Sequence, residues 1–164
     1  MKGRGGKVHR VIMKKPSIGT GDWVVVCDGR KALILENKGD EKFPNLHTKE
    51  THEHPDLPTH EQGSAPPGTS HQSVGAHRSS VRQTDWHDQA ERSFLRDLAK
   101  RLDDALLRRE VKRLTLVASP RALGMIREAY TSGIRHALAQ EIAKDVVKFP
   151  VHEIERLLCG ESAA

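Results

Sequence analysis

The chain has 164 residues, with 27 Lys and Arg against 22 Asp and Glu, and two cysteines; this length suits one domain that buries a core without disulfide or metal staples. Six basic residues (Lys2, Arg4, Lys7, Arg10, Lys14 and Lys15) crowd the first fifteen positions, so residues 16–164 hold 21 basic against 22 acidic side chains and show no overall electrostatic footprint for nucleic acid. No stretch approaches the roughly 18 apolar residues of a membrane span, the basic start lacks a signal-peptide core, and Cys27 and Cys159 follow no disulfide or metal spacing, which together point to a reducing, cytoplasmic setting.

Residues 1–21 carry lysines and glycines without sustained periodicity and read as a basic, disordered tail. Met13 is an alternative start within it, because Met13-Lys-Lys-Pro-Ser-Ile leads directly into the first strand. The domain is expected over residues 22–160. Trp23-Val-Val-Val-Cys27 is β-branched and apolar, Asp28-Gly29-Arg30 is a turn, and Ala32-Leu-Ile-Leu35 is apolar again, the pattern of a hairpin buried on both faces. The stretch from Glu36 to Gln83 is polar and holds most of the histidines; Leu46 to His54 fits a third strand, and about 55–83 reads as a long polar loop.

From Thr84 the pattern turns helical. Ala90, Phe94, Leu98, Leu102 and Leu106 recur every fourth position, with Leu95 and Ala105 widening the stripe. Thr84 is the expected N-cap, Asp85 and Asp88 suit a positive first turn, and Arg108 and Arg109 a negative last one. Leu114-Thr-Leu-Val-Ala118 reads as a buried strand. Ser119 as N-cap and Pro120 at the first helical position open another helix, with Leu123, Ile126 and Tyr130 inward. Ile134 to Ala139 reads as a short helix, Glu141 to Val147 as a last strand, and Pro150 opens a closing helix with Val151, Ile154, Leu157 and Leu158 inward and Gly160 as its stop. Strands reached through helical crossovers imply one α/β domain, a mixed sheet of about five strands flanked by helices.

No catalytic residue, metal ligand or cofactor is assigned. His47, His52, His54 and His60 lie close in sequence, but a solvated polar loop explains them without the closed spacing of a zinc site. Ser79 and Ser80 stand in no nucleophile elbow, and neither phosphate-cradling glycine motif is present. Asp28, Asp88 and Glu91 partly match the carboxylate set of a two-metal nuclease. The third place such a set needs, at the end of the later strand, holds Ala118, Ser119 and Pro120, so Asp28 reads instead as a turn residue. Ser119-Pro-Arg-Ala-Leu-Gly124 joins a strand to a helix where free amides, with Arg121, suit an anion. The candidate binding residues are Asp28, Arg30, His77, Arg78, Ser79, Ser80, Arg121 and Gly124.

Four segments, Trp23 to Asn37, Gln83 to Arg92, Ser119 to Gly124 and Lys148 to Leu157, together resemble the host attachment protein family. That family is grouped with bacterial and archaeal relatives of the central domain of eukaryotic release factors and of the ribosome-rescue factor Pelota. The resemblance implies a ribonuclease-H-like fold. In release factors a Gly-Gly-Gln loop before the long helix promotes hydrolysis of peptidyl-tRNA; the segment at that place, Val74-Gly-Ala-His-Arg-Ser-Ser80, lacks it. The family name carries over attachment to a host only as a process, and the expected function is that of a non-enzymatic protein contributing to attachment indirectly by binding an intracellular protein partner. The first alternative is a ribosome- or tRNA-associated factor using Arg78 and Arg121 on phosphate, and the second a metal-dependent nuclease using Asp28, Asp88 and Glu91.

Overall fold

The computed structural model describes residues 15–54 and 76–160, with the side chains of the long helix described from Thr84 onward. The elements in chain order are β1 (Trp23–Cys27), β2 (Lys31–Asn37), β3 (Leu46–Glu53), α1 (Ala76–Leu107), β4 (Leu114–Ala118), α2 (Pro120–Arg127), α3 (Ser132–Ala137), β5 (Leu138–Ala143) and α4 (Val151–Leu158). They build one five-stranded sheet of order β3-β2-β1-β4-β5. β2 is antiparallel to β1 and to β3, whereas β4 is parallel to β1 and to β5. This is the mixed α/β sheet that the element order in the sequence predicts.

Alternation along β1 sends its side chains to two cores. Trp23, Val25 and Cys27 join Leu95, Leu98, Leu102, Leu123, Ile126 and Ile134 beneath α1, α2 and α3. Val24 and Val26 join Leu33, Leu35, Val117, Ile142, Ile154 and Leu158 on the face that α4 covers. A strand buried on both faces has no polar alternation to show, which is why β1 and β4 read as continuous apolar runs. The Cys27 thiol, buried and next to Asp28, is pushed up to about 12, so it packs as a thiol and not as a nucleophile.

Several boundaries differ from the sequence expectation. Residues 15–21 are not a free tail: Ile18 is 1% exposed in the α4-side core, and the Gly21 amide donates to the Asn37 carbonyl at 2.8 Å. Residues 1–14, Met13 included, lie outside the described ones. α1 begins at Ala76 rather than Thr84, so residues 76–83 are helix and not loop, and Asp85 and Asp88 stand in its third and fourth turns. No Gly or Pro interrupts Ala76 to Thr84, so nothing local ends the helix there. Arg108 and Arg109 lie past its last turn. Arg109 takes a left-handed φ of 59°, the Glu110 amide reaches back to the Ala105 carbonyl and the Arg109 amide to that of Leu106, the double bond of a Schellman stop.

β5 occupies Leu138–Ala143 and not Glu141–Val147, because its parallel partner β4 ends at Ala118 opposite Ala143. Val146 and Val147 still enter the core, from a turn. α3 starts two residues early, with the Thr131 hydroxyl accepting from the Ile134 amide at 3.2 Å. Tyr130 lies beyond α2, half-buried, its hydroxyl donating to Glu141 Oε1 at 2.8 Å. Burial first, and then that bond, push the phenol well above its ordinary range.

Two carboxylates make the fold acid-sensitive. Partial burial pushes Glu50 and Glu141 up, but charged hydrogen bonds outweigh it: Arg101 and His52 hold Glu50, and Arg127 and Tyr130 hold Glu141, below the ordinary value of 4.5. A carboxyl depressed in the folded state stabilises it above the unfolded pKa, and that contribution is lost as pH falls through the folded value. Unfolding free energy measured against pH is therefore expected to drop below about pH 4.5, with a shallower drop in Arg101→Met.

Candidate functional site

β1 and β4 run parallel and end together, with Cys27 opposite Ala118. Everything that follows these two ends therefore meets at one edge of the sheet. After β1, Asp28 Oδ1 accepts from the amides of Arg30 (2.8 Å) and Lys31 (2.7 Å), closing the tight turn into β2. After β4, the Ser119 hydroxyl accepts from the Ala122 amide at 3.3 Å, and Pro120 opens α2. Both junctions are local and both follow from short-range turn and cap chemistry.

A long-range tie joins them. Arg121, on the first turn of α2, donates through Nε to Glu91 Oε2 at 3.0 Å and through Nη2 to Asp88 Oδ1, so one guanidinium bridges two acids on α1. The two acids push its pKa up. Glu91 in turn lies over Gly29: a Cβ there would sit 2.6 Å from Glu91 Cγ, so any larger residue at position 29 would displace the Glu91 side chain. Asp88 and Glu91, read in the sequence with Asp28 as a partial carboxylate set, thus meet Arg121 instead, as its ion-paired partners. The pairs are exposed enough to contribute under about 1 kcal/mol each.

The other expected site residues are distributed differently. The Arg30 carbonyl accepts from the His54 amide at 2.7 Å, which ties the β1–β2 turn to the end of β3. Gly124 lies on the exposed side of α2, where an added Cβ would meet nothing within 4 Å. His77, Arg78, Ser79 and Ser80 fall in the first turns of α1, and their side chains lie outside the described residues. His52 Nε2 lies 2.9 Å from Glu50 Oε2, in the Arg101 network. Among the described residues no group of three or more His, Cys, Asp or Glu is placed to hold a metal ion, and no helix is long and apolar enough to cross a membrane.

A second feature escaped the sequence reading. Beside the Arg121 tie, α1 and the α2–α3 connection enclose a cleft of about 450 Å³. Arg92, Arg96 and Lys100 line its α1 side, one cation every four residues. Such a spacing is visible in a sequence, but charges at i, i+4 and i+8 usually mark an ordinary solvated face. Only the position of α2 turns this face into the wall of a cavity.

A sequence profile describing the bacterial archaeo-eukaryotic release factor family 12 matches residues 22–158. An uncharacterized protein of Rickettsia prowazekii (strain Madrid E) is 36% identical over 70 residues, a stretch covering 43% of this chain and 45% of that protein. The chain therefore aligns with less than half the length of that relative. The profile match runs from the residue before β1 to the last residue of α4, through every strand and helix of the sheet. On that match, the chain belongs to the bacterial archaeo-eukaryotic release factor family 12.

Proposed function

We propose that the chain is a ribosome- or tRNA-associated factor that works by binding and has no peptide-release chemistry. The observation that supports this reading is the release-factor family match across the whole fold. The Gly-Gly-Gln tripeptide on which release chemistry rests has no counterpart before the long helix: that position reads Val74-Gly-Ala-His-Arg-Ser-Ser80, of which Ala76 to Ser80 are already in α1. An association without ester hydrolysis fits that difference.

The charges at the sheet edge favour binding over metal-dependent cleavage. Asp88 and Glu91 face the guanidinium of Arg121, and Asp28 uses one oxygen to hold its own turn; a nuclease would have to free these groups before they met two metal ions. Arg121 ties α2 to α1, and Arg78 remains the proposed contact from the start of α1. A role in host attachment draws no support from the family matched.

Sucrose-gradient fractionation of lysate from cells expressing the full chain tests the proposal. At low salt the protein is expected to travel with ribosomal particles, and at raised salt to move to the top of the gradient, as contacts to phosphate weaken. A protein found at the top under both conditions would overturn it.

A further inference from the structure

The cleft between α1 and the α2–α3 connection takes no part in the Arg121 tie, and its charges are unevenly satisfied. Arg92 at its rim donates to Glu128 at 2.6 Å. Arg96 and Lys100 are exposed and make no ion pair among the described residues. Of the two acids of the cleft, Glu128 is paired with Arg92, whereas Asp103 accepts from the Thr131 hydroxyl at 2.6 Å and keeps its charge. The facing wall contributes the partly exposed Ala129 above Met125, whose side chain is buried in the core.

We propose that this cleft holds the phosphodiester strand of an RNA, with Arg96 and Lys100 meeting successive phosphates and Ala129 packing against a sugar or base. The inference rests on the reading of the chain as a ribosome- or tRNA-associated factor, and it gives that reading a contact surface. Two features favour a nucleic-acid strand over a membrane surface. Cations four residues apart on a helix advance by about 6 Å per step, a repeat comparable to the separation of neighbouring phosphates along one strand. Same-side carboxylates of an extended acidic peptide repeat at about 6.6 Å, so polyglutamate is the competing ligand that the test must exclude. A membrane surface needs a convex or flat approach, whereas these cations line a concavity.

The test uses the full chain, wild type and Arg96→Gln/Lys100→Gln, titrated against fluorescent oligouridylate, tRNA and polyglutamate across a range of salt. Both substituted residues are exposed, so the fold is expected to survive, and the basic residues of the first fifteen positions are common to both proteins. With two phosphates engaged by Arg96 and Lys100, the cleft is expected to contribute about −1.4 to the slope of log affinity for oligouridylate against log salt, and the double variant to lose that contribution. Its affinity at low salt is expected to drop about tenfold. A parallel loss for tRNA extends the site to structured RNA; tRNA binding left unchanged confines it to single strands.

Equal oligouridylate binding by the two proteins would overturn the assignment, as would a loss confined to polyglutamate. Ribosome association is read separately. A double variant that still travels with ribosomes and binds oligouridylate like the wild type removes the cleft and leaves the ribosomal reading standing. A wild type that ignores ribosomes but binds oligouridylate through the cleft does the reverse.

Discussion

Asn37→Ala is expected to lower the unfolding free energy by about 3 kcal/mol. Asn37 sits at the end of β2 with its side chain fully buried. Its Nδ2 donates to the carbonyls of Ile18 (2.9 Å), Gly19 (3.1 Å) and Asp40 (3.3 Å), and its Oδ1 accepts from the amides of Gly39 (2.9 Å) and Asn45 (2.8 Å). One side chain therefore fastens the segment before β1, the end of β2 and the β2–β3 loop. Alanine leaves those backbone groups in a place with little water, and each unpaired buried group is costly. Asn37→Asp keeps the shape but replaces the donor with charge facing three carbonyl oxygens, and is expected to be at least as destabilising. Denaturant titration checks both; a loss below about 1 kcal/mol for alanine would show that the hub is solvated.

Trp23→Ala is expected to cost about 4 kcal/mol. The indole is the largest fully buried side chain and lies where β1 meets α1. Lys49 Nζ from β3 and the Arg101 guanidinium from α1 stand 5.3 and 5.8 Å from its ring centroid, adding cation–π attraction to the packing. Yet its indole N–H is buried with no acceptor among the described residues, which takes back part of that gain. Trp23→Phe deletes the unpaired N–H together with part of the ring, so it is expected to cost under about 2 kcal/mol. Thermal unfolding of the two variants should separate widely; equal losses would mean that a phenyl ring recovers nothing and that the site requires the indole itself.

These same residues show what a sequence reveals and what it hides. The hairpin, β4 and the Ser119-Pro120 start of α2 are legible because their signals are local: β-branched runs, a turn residue followed by glycine, a cap followed by proline. The Asn37 hub is not, since its partners lie up to 19 residues away and a lone asparagine after a strand reads as a turn. The start of α1 is not legible, because Thr84 looks like a cap, while no Gly or Pro in residues 76–83 prevents the helix from beginning earlier. The end of β5 depends on where β4 ends, a fact of pairing and not of composition.

The candidate site divides in the same way. Asp28, Ser119 and Arg121 stand out singly, from their places at the ends of strands, but the tie of Arg121 to Asp88 and Glu91 spans about thirty residues and exists only once β1 and β4 lie side by side. Arg96 and Lys100 carry no distinguishing mark in the sequence. They become a proposed contact because α2 packs against α1 and leaves a cleft between them.

Pelleting of the purified chain with purified ribosomes, at low and at raised salt, decides whether this chain binds them. The protein is expected to enter the pellet at low salt and return to the supernatant as salt is raised, with peptidyl-tRNA on those ribosomes left intact. Protein that stays in the supernatant at low salt, or peptidyl-tRNA hydrolysed on its addition, would contradict the proposed function.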